Sequence, residues 1–310
     1  MFKFSLIIPH YNVPELLIRC LRTIPSRTDL QIIVVDDASN SDCVDKIKKV
    51  QNEFENVEFI YSSPNHGGGY VRNIGLKHAV GDYVFFADAD DFFTPCLNQF
   101  LDDISEQDED IIFFNAISLD TYSYSYTYRC WHLNRWMNMH KRNPMKAEFA
   151  LRYKFGEPWC KVIKRDLIEQ NGICYDEIRM HDDTRFSYLV GFFAKKIVVD
   201  QRAVYCVTDR CGSVSKTFSP ERLFERTQVF ATANKFFKQN GIRCFDERAI
   251  RPIFMFLLKF DLKNFSICKK ILIESGMSPL HVFVKILFYP FYALQKACVS
   301  MSQYSMRLFG

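Results

Sequence analysis

Phe4-Ser5-Leu6-Ile7-Ile8-Pro9-His10-Tyr11-Asn12 opens the reading of the fold: an apolar run with the character of a buried strand ends abruptly in a proline and polar or aromatic residues. Helical spacing follows over Glu15 to Thr23. A second apolar run, Gln31-Ile32-Ile33-Val34-Val35, ends in Asp36-Asp37-Ala38-Ser39. Outward from there the unit repeats, with a helix over Asp42 to Glu55, a strand over Val57 to Ser62, a helix over Tyr70 to Val80 and a strand over Asp82 to Phe86 that ends in Ala87-Asp88-Ala89-Asp90-Asp91. Regular alternation of strand and helix implies right-handed crossovers and an α/β, mostly parallel sheet with helices on both faces. Ligands of such sheets lie outside the carboxyl ends of the strands, so the three polar strand ends are expected to converge on one crevice.

Beyond Asp91 the pattern changes. Asp110 to Asn115 reads as a further strand and Lys146 to Tyr153 as a helix, while Thr121 to Trp136 is rich in aromatic and hydroxyl residues. The alternation of Tyr122, Tyr124, Tyr126 and Tyr128 is strand-like, with an edge hairpin or a loop over an acceptor as alternatives. Aromatic runs of this kind, Trp131, Trp136 and Trp159 included, are more often core than sugar-stacking surface. Past residue 220, helices are expected near Pro220 to Asn240, Glu247 to Leu262 and Pro279 to Met301.

With 310 residues, 48% of them hydrophobic and 25% charged, the chain can bury a full core, and disordered, collagen-like and coiled-coil classes are excluded. Its 11 cysteines are odd in number and form no C-x-x-C pair, and the closest two, Cys206 and Cys211, fit no common metal motif. They read as small buried hydrophobes in a reducing compartment. No secretory signal precedes the first strand and no apolar stretch is long enough to span a bilayer, so residence in the cytoplasm is expected. A formal net charge of +4 points by itself neither to nucleic acid nor to a strongly acidic partner.

Asp88, Asp90 and Asp91 follow a buried strand, where charge is costly without compensation. Hard carboxylate oxygens suit Mg²⁺ or Mn²⁺ and leave positions open for phosphate and water, whereas a turn with capping acids before Pro95 is the plainer alternative. Of Asp36 and Asp37, one suffices as a helix cap, and the other could accept a uracil imide or a ribose hydroxyl. Residues 65 to 75 hold four of the twelve glycines, which would let the backbone approach a ligand and aim N–H groups at an anion. Arg72 would add positive charge there for a diphosphate or for the metal-holding acids. A dinucleotide fingerprint would stand after the first strand, where this chain has Pro9-His10-Tyr11-Asn12. Far downstream, His181-Asp182-Asp183 opens a helical pattern.

Together, Ser5-Leu6-Ile7-Ile8-Pro9 with Tyr11-Asn12, Val35-Asp36-Asp37-Ala38-Ser39, Gly69 through Arg72-Asn73-Ile74-Gly75, and Asp88-Ala89-Asp90-Asp91 with Pro95 resemble the family 2 glycosyltransferases. Trp159-Cys160-Lys161-Val162-Ile163-Lys164-Arg165 is similar to that family's W-x-K-L-[YF]-[KR]-[KR] stretch, and Asp182-Asp183 stands where members carry E-D or D-D. The resemblance covers about residues 3 to 210. It implies a Rossmann-like GT-A catalytic domain over 1–215, with a nucleotide-sugar half to about 115 and an acceptor half after it. It further implies transfer of a sugar, with inversion, from a nucleotide diphosphate, most often UDP, to an acceptor hydroxyl. On this resemblance Pro9, Tyr11, Asn12, Asp36, Asp37, Gly69, Arg72 and Asp88 bind the nucleotide sugar, with Asp37 on the uracil. Asp88 and Asp90 hold Mn²⁺ or Mg²⁺, and Asp183 is the general base with Asp182 beside it. Trp159, Lys161 and His181 lie on the acceptor side. The chain departs from the pattern in Asp182, shorter than the usual Glu, and in lacking the Q-x-x-R-W of processive synthases. Readings from other classes are a sugar-phosphate nucleotidyltransferase, whose Gly- and Arg/Lys-rich loop after the first strand is missing, and an inactive nucleotide-sugar-binding scaffold.

Residues 216–310 lie outside the resemblance and read as a helical region. Between Lys263 and Gly310, six Lys+Arg and one acid are interleaved with Phe265, Phe283, Phe288, Tyr289, Phe291, Tyr292 and Phe309. That pattern fits an interfacial helix on an anionic membrane, or equally a helical subdomain packed on the core or on a second subunit. The net charge also proves segregated: residues 1–120 hold 9 Lys+Arg and 20 Asp+Glu, leaving 31 and 16 for the remainder. An acidic half suits a cation-bridged nucleotide, and a basic half suits an anionic, lipid-linked glycan acceptor at the membrane face during polysaccharide assembly of the cell envelope.

Overall fold

The structure is a computed structural model and describes residues 2–54, 56–106, 108–210 and 219–308. The chain divides into two compact units, Met1–Lys216 and Thr217–Gly310. Cys211 and Phe309, and the side chains of Tyr292 and Cys298, lie outside the described residues.

The first unit begins with β1 (Phe4–His10), α1 (Pro14–Arg22), β2 (Leu30–Asp37), α2 (Ser41–Val50), β3 (Val57–Ser62), α3 (Gly68–His78) and β4 (Tyr83–Phe86). Successive residues of β1, β2 and β4 are buried, so both faces of these strands are covered, as their unbroken apolar runs require. Helix starts follow local chemistry: Pro14 occupies the first turn of α1, and Asn40 caps α2 by accepting the Cys43 N–H at 2.9 Å.

After β5 (Phe92–Phe93) and α4 (Cys96–Ile104) come β6 (Ile111–Asp120), α5 (Trp131–His140), α6 (Pro144–Tyr153), β7 (Lys161–Lys164), α7 (Arg165–Gln170), α8 (Asp182–Phe193) and β8 (Ile197–Asp209). The eight strands form one sheet in the order β3-β2-β1-β4-β7-β6-β8-β5. The pairs β1–β2, β2–β3, β1–β4 and β6–β8 are parallel; β7 runs antiparallel to both of its neighbours, and β5 runs antiparallel to β8. The expected parallel sheet is therefore realised in the first half, and the second half is mixed. β7 carries Lys161 to the centre of the sheet beside β4, whose end bears the acid cluster.

Residues 122–128 form no strand beyond a bridge between Leu119 and Tyr126, and all four tyrosines are exposed. The core expectation does not hold for them, and of the strand-like alternatives the hairpin is realised in short form: the Asp120 N–H donates to the Ser125 carbonyl and the Thr127 N–H to the Ser118 carbonyl, each at 2.8 Å, around a turn in which the Asp120 carboxylate accepts the Tyr122 and Ser123 N–H groups. Trp159, by contrast, is core at 4% exposure. Nor are all cysteines buried: Cys96 and Cys174 are exposed.

The second unit contains α9 (Pro220–Gln239), α10 (Arg251–Leu258), α11 (Leu262–Glu274) and α12 (Pro279–Leu308) around a core of its own that includes Phe230, Ile253, Phe256, Cys268, Leu272 and Val282. The helix expected to reach Leu262 stops at Leu258. Phe260 adopts a left-handed conformation (φ 54°), and Asp261 then caps α11 by accepting the Asn264 N–H at 3.1 Å. Among the described residues no helix is long and apolar enough to cross a membrane.

Candidate active site

The tips of β1 and β2 are tied together by buried polar groups. His10 Nε2 accepts the Val13 N–H at 3.1 Å, so the proton sits on Nδ1 and is donated to Asp36 at 2.7 Å. The second Asp36 oxygen accepts the Ser39 N–H at 2.8 Å. Burial works to raise the Asp36 pKa, but the His10 and Ser39 hydrogen bonds outweigh it and hold the carboxyl below its usual value. Asn12, at φ 53°, donates its N–H to Ser39 Oγ and accepts from the Asn40 N–H, so it too braces the loop. Asp36 and Asn12 thus shape the crevice from behind. Pro9 is half-buried beside them, and Tyr11 is 51% exposed at the mouth.

Asp37 is 4% exposed and faces the glycine segment. One carboxylate oxygen accepts the Asn65 amide and the Gly67 N–H, the other accepts the His66 N–H, all at 2.8 Å. Three of roughly four lone-pair sites are therefore already spent on building the 65–67 loop.

That loop leads into α3 through Gly67 (φ 98°). A Cβ on Gly69 would stand 2.1 Å from the Asp176 carbonyl oxygen and 3.1 Å from Asp182 Cβ. On its Cβ side, therefore, the close approach that glycine permits here is to the 176–182 segment. One turn later Arg72, 8% exposed, donates to Asp88 and to Asp182, each at 2.8 Å, with its guanidinium over the Tyr175 ring. Burial disfavours this charge, but Asp182 and Asp88 more than offset it and keep Arg72 firmly protonated.

Ligand atoms of Asp88, Asp90 and Asp91 lie within 4.8 Å of one another. Asp91 is 1% exposed and accepts the Thr208 N–H at 2.6 Å, so its carboxylate is committed to β8. Asp88 and Asp90 keep side chains 26% and 20% exposed, and Arg210 Nε stands 3.7 Å from Asp90. Burial first, and then the Asp88 charge, raise the Asp90 pKa even though Arg129 and Arg210 oppose the shift. Excess negative charge on hard oxygen donors is what a divalent cation relieves, so Asp88 and Asp90 fit Mn²⁺ or Mg²⁺.

Across Arg72 from this cluster, α8 starts at His181, a half-buried cap residue in left-handed conformation (φ 60°). Asp182 is held by Arg72, whereas among the described residues none donates a hydrogen bond to the Asp183 carboxylate. Burial, followed by the charges of Asp182 and Glu157, pushes Asp183 up to about 8 against the pull of Arg72 and Lys161. Trp159 and Lys161 do not present a surface to an acceptor. At 4% and 2% exposure they lie beneath the site, Trp159 against Tyr205 and Lys161 bonded to Ser187 and the Phe155 carbonyl. No sequence pattern marks Glu157, Tyr175, Thr208, Arg129 or Arg210, which reach the site only through the sheet order and the return of β8.

Residues 5–172 match the model of Glycosyl transferase family 2. The poly(ribitol-phosphate) beta-glucosyltransferase of Bacillus spizizenii is 38% identical over 95 residues, 29% of this chain and 15% of that protein. The poly(ribitol-phosphate) beta-N-acetylglucosaminyltransferase TarS of Staphylococcus aureus is 26% identical over 242 residues, 74% of this chain and 40% of TarS. The matches thus span less than half the length of these relatives. The crystal structure of S. aureus TarS 1-349 in complex with UDP-GlcNAc shares the fold at TM-score 0.62 and 20% identity, covering 93% of this chain and 92% of that one. The mannosyltransferase PcManGT of Pyrobaculum calidifontis, in complex with GDP-Man and Mn2+, does so at TM-score 0.52 and 15% identity, covering 97% and 83%. A mixed sheet of GT-A type, an acid triplet at the end of β4 and a family match over more than half its length lead to one conclusion: the chain belongs to glycosyl transferase family 2.

Proposed function

We propose that the protein transfers a sugar from a UDP-sugar to an acceptor hydroxyl of a glycan or lipid-linked glycan, with inversion at the anomeric carbon. The observation that carries this reading is the Arg72 bridge, whose single guanidinium binds Asp88 of the acid cluster and Asp182 of the α8 start at 2.8 Å each. It sets a donor-side carboxylate and a base-side carboxylate at a fixed separation, which is the positioning a single displacement needs. The UDP-GlcNAc bound by TarS and the poly(ribitol-phosphate) named for both relatives support a UDP-sugar donor and a cell-envelope polymer as acceptor.

Asp183 takes the acceptor proton during attack. Its carboxyl, pushed up to about 8, is a stronger base than an ordinary carboxylate and is free of hydrogen bonds from the described residues. Asp88 and Asp90 would hold Mn²⁺ or Mg²⁺, which when bound supplies electrostatic stabilisation of the leaving diphosphate. Asp37 keeps the 65–67 loop in place at the nucleotide and has one lone pair left for a uracil imide. Asp183→Asn is expected to bind the UDP-sugar with unchanged Kd by calorimetry while transfer falls by about 10² or more. Equal turnover in that variant would remove Asp183 from the mechanism.

For the second unit we propose peripheral contact with an anionic membrane surface. Leu280, Phe283, Leu287, Phe288, Phe291 and Leu294 of α12 recur at helical spacing and are each more than half exposed, while Val282 of the same helix is buried in the unit's core. Exposed Lys263, Lys269 and Lys270 on α11 supply the complementary positive charge.

A further inference from the structure

We infer that Lys161 is a positioning residue for the base, a cation fixed beneath α8 that keeps Asp183 able to accept a proton. The inference rests on Asp183 being the base. Lys161 opens β7, is 2% exposed, and donates to Ser187 Oγ at 3.0 Å and to the Phe155 carbonyl at 3.3 Å, with its ammonium 4.7 Å from the centre of the Phe155 ring. Ser187 lies one helical turn after Asp183, so the ammonium is anchored under the face of α8 that carries the base. The anchor is itself fixed, because Ser187 Oγ also donates to the Gly156 carbonyl at 2.6 Å.

Two neutral acceptors and an aromatic face do not neutralise a buried ammonium, and packing alone would be served as well by an apolar side chain of similar length. Among the described residues no carboxylate stands within ion-pair distance of Lys161, so its charge acts through space. The carboxylates it acts on are Glu157 and Asp183. Asp183 is faced by Asp182 on its own helix, by Arg72 from α3, by Glu157 from the α6–β7 connection, by Lys161 from β7 and by Tyr175 from the loop before α8. Arg72 is already shared between Asp88 and Asp182. Burial pushes the Lys161 ammonium down to about 8 while Glu157 and then Asp183 hold it up, so it is charged through the neutral range and, tied into no ion pair, offsets the burial and the two acids that favour the protonated base.

The test is the titration of Asp183 in the full-length chain. It is followed by ¹³C carboxyl NMR with the signal assigned from Asp183→Asn, alongside the pH profile of UDP release from UDP-N-acetylglucosamine. Lys161→Gln keeps donors for Ser187 and Phe155, and Lys161→Met removes them as well. Both are expected to raise the Asp183 midpoint by about one pH unit and to move the acidic limb of the rate profile the same way, with activity recovering at high pH. Glu157→Gln is expected to lower the midpoint. A midpoint unchanged in Lys161→Gln, or activity lost equally at every pH, overturns the inference. Retained activity in Asp183→Asn would instead overturn the base assignment while leaving the titration result intact.

Discussion

Asp36 and Asp37 are adjacent in sequence and differ in task because successive strand residues point to opposite faces. Asp36 meets His10 and Ser39, and Asp37 meets the 65–67 loop. The motif was legible in the sequence, but not which of its oxygens are spent on the protein itself. Gly69 shows the same limit: its place at the start of a helix was legible, but not that the space a Cβ would need is taken by the Asp176 carbonyl. Gly69→Ala must displace that carbonyl or α3, since 2.1 Å is far inside van der Waals contact. We expect a stability loss of about 1–3 kcal/mol in denaturant unfolding, together with a transfer rate reduced at least tenfold as the start of α8 moves. Wild-type values for both would show that the two segments slide past one another freely.

At the scale of elements, the strand tips do not form the site unaided. The 65–67 loop and α3 carry Arg72 from the carboxyl end of β2 to the start of α8, and Asp37 holds that loop through three hydrogen bonds. Asp37→Asn puts an amide N–H against backbone donors at 4% exposure, a buried clash of donors. UDP-sugar affinity is expected to fall about tenfold and the melting temperature by several degrees, read by calorimetry and thermal unfolding. Unaltered affinity would mean that the loop holds its shape without the carboxylate. β1, β2 and β4 were readable because their burial on both faces demands continuous apolar runs, and β3, at the sheet edge and only partly buried, from its short apolar and aromatic run, whereas β7, four residues long, carries no periodicity that distinguishes it from a loop. The start of α11 was written in Asp261 and Asn264, an N-cap pair hidden inside what otherwise reads as one helix.

Over the whole molecule, the segregation of charge follows the two units only in part: residues 1–216 hold 26 Lys+Arg and 30 Asp+Glu, and residues 217–310 hold 14 and 6. The acid cluster belongs to the first unit, and the basic, apolar-faced helices belong to the second. If the α12 stripe meets lipid, the intact protein will float with vesicles containing phosphatidylglycerol and not with phosphatidylcholine alone. Joint substitution of Phe283→Ser, Leu287→Ser and Phe291→Ser will abolish flotation without changing UDP-sugar turnover. Loss of a dimer in the variant, with flotation absent from the parent, would assign the stripe to a second copy instead. By itself the sequence determined the α/β class, the first four strands, the family and the acids at the ends of β2 and β4, since each depends on local periodicity or on residues close together in the chain. The tertiary structure alone decided what those acids face: β7 inserted antiparallel, Lys161 buried beneath Asp183, and Arg72 joining residues 88 and 182. Contacts between residues far apart in sequence are set by sheet order and close packing, which no local pattern encodes.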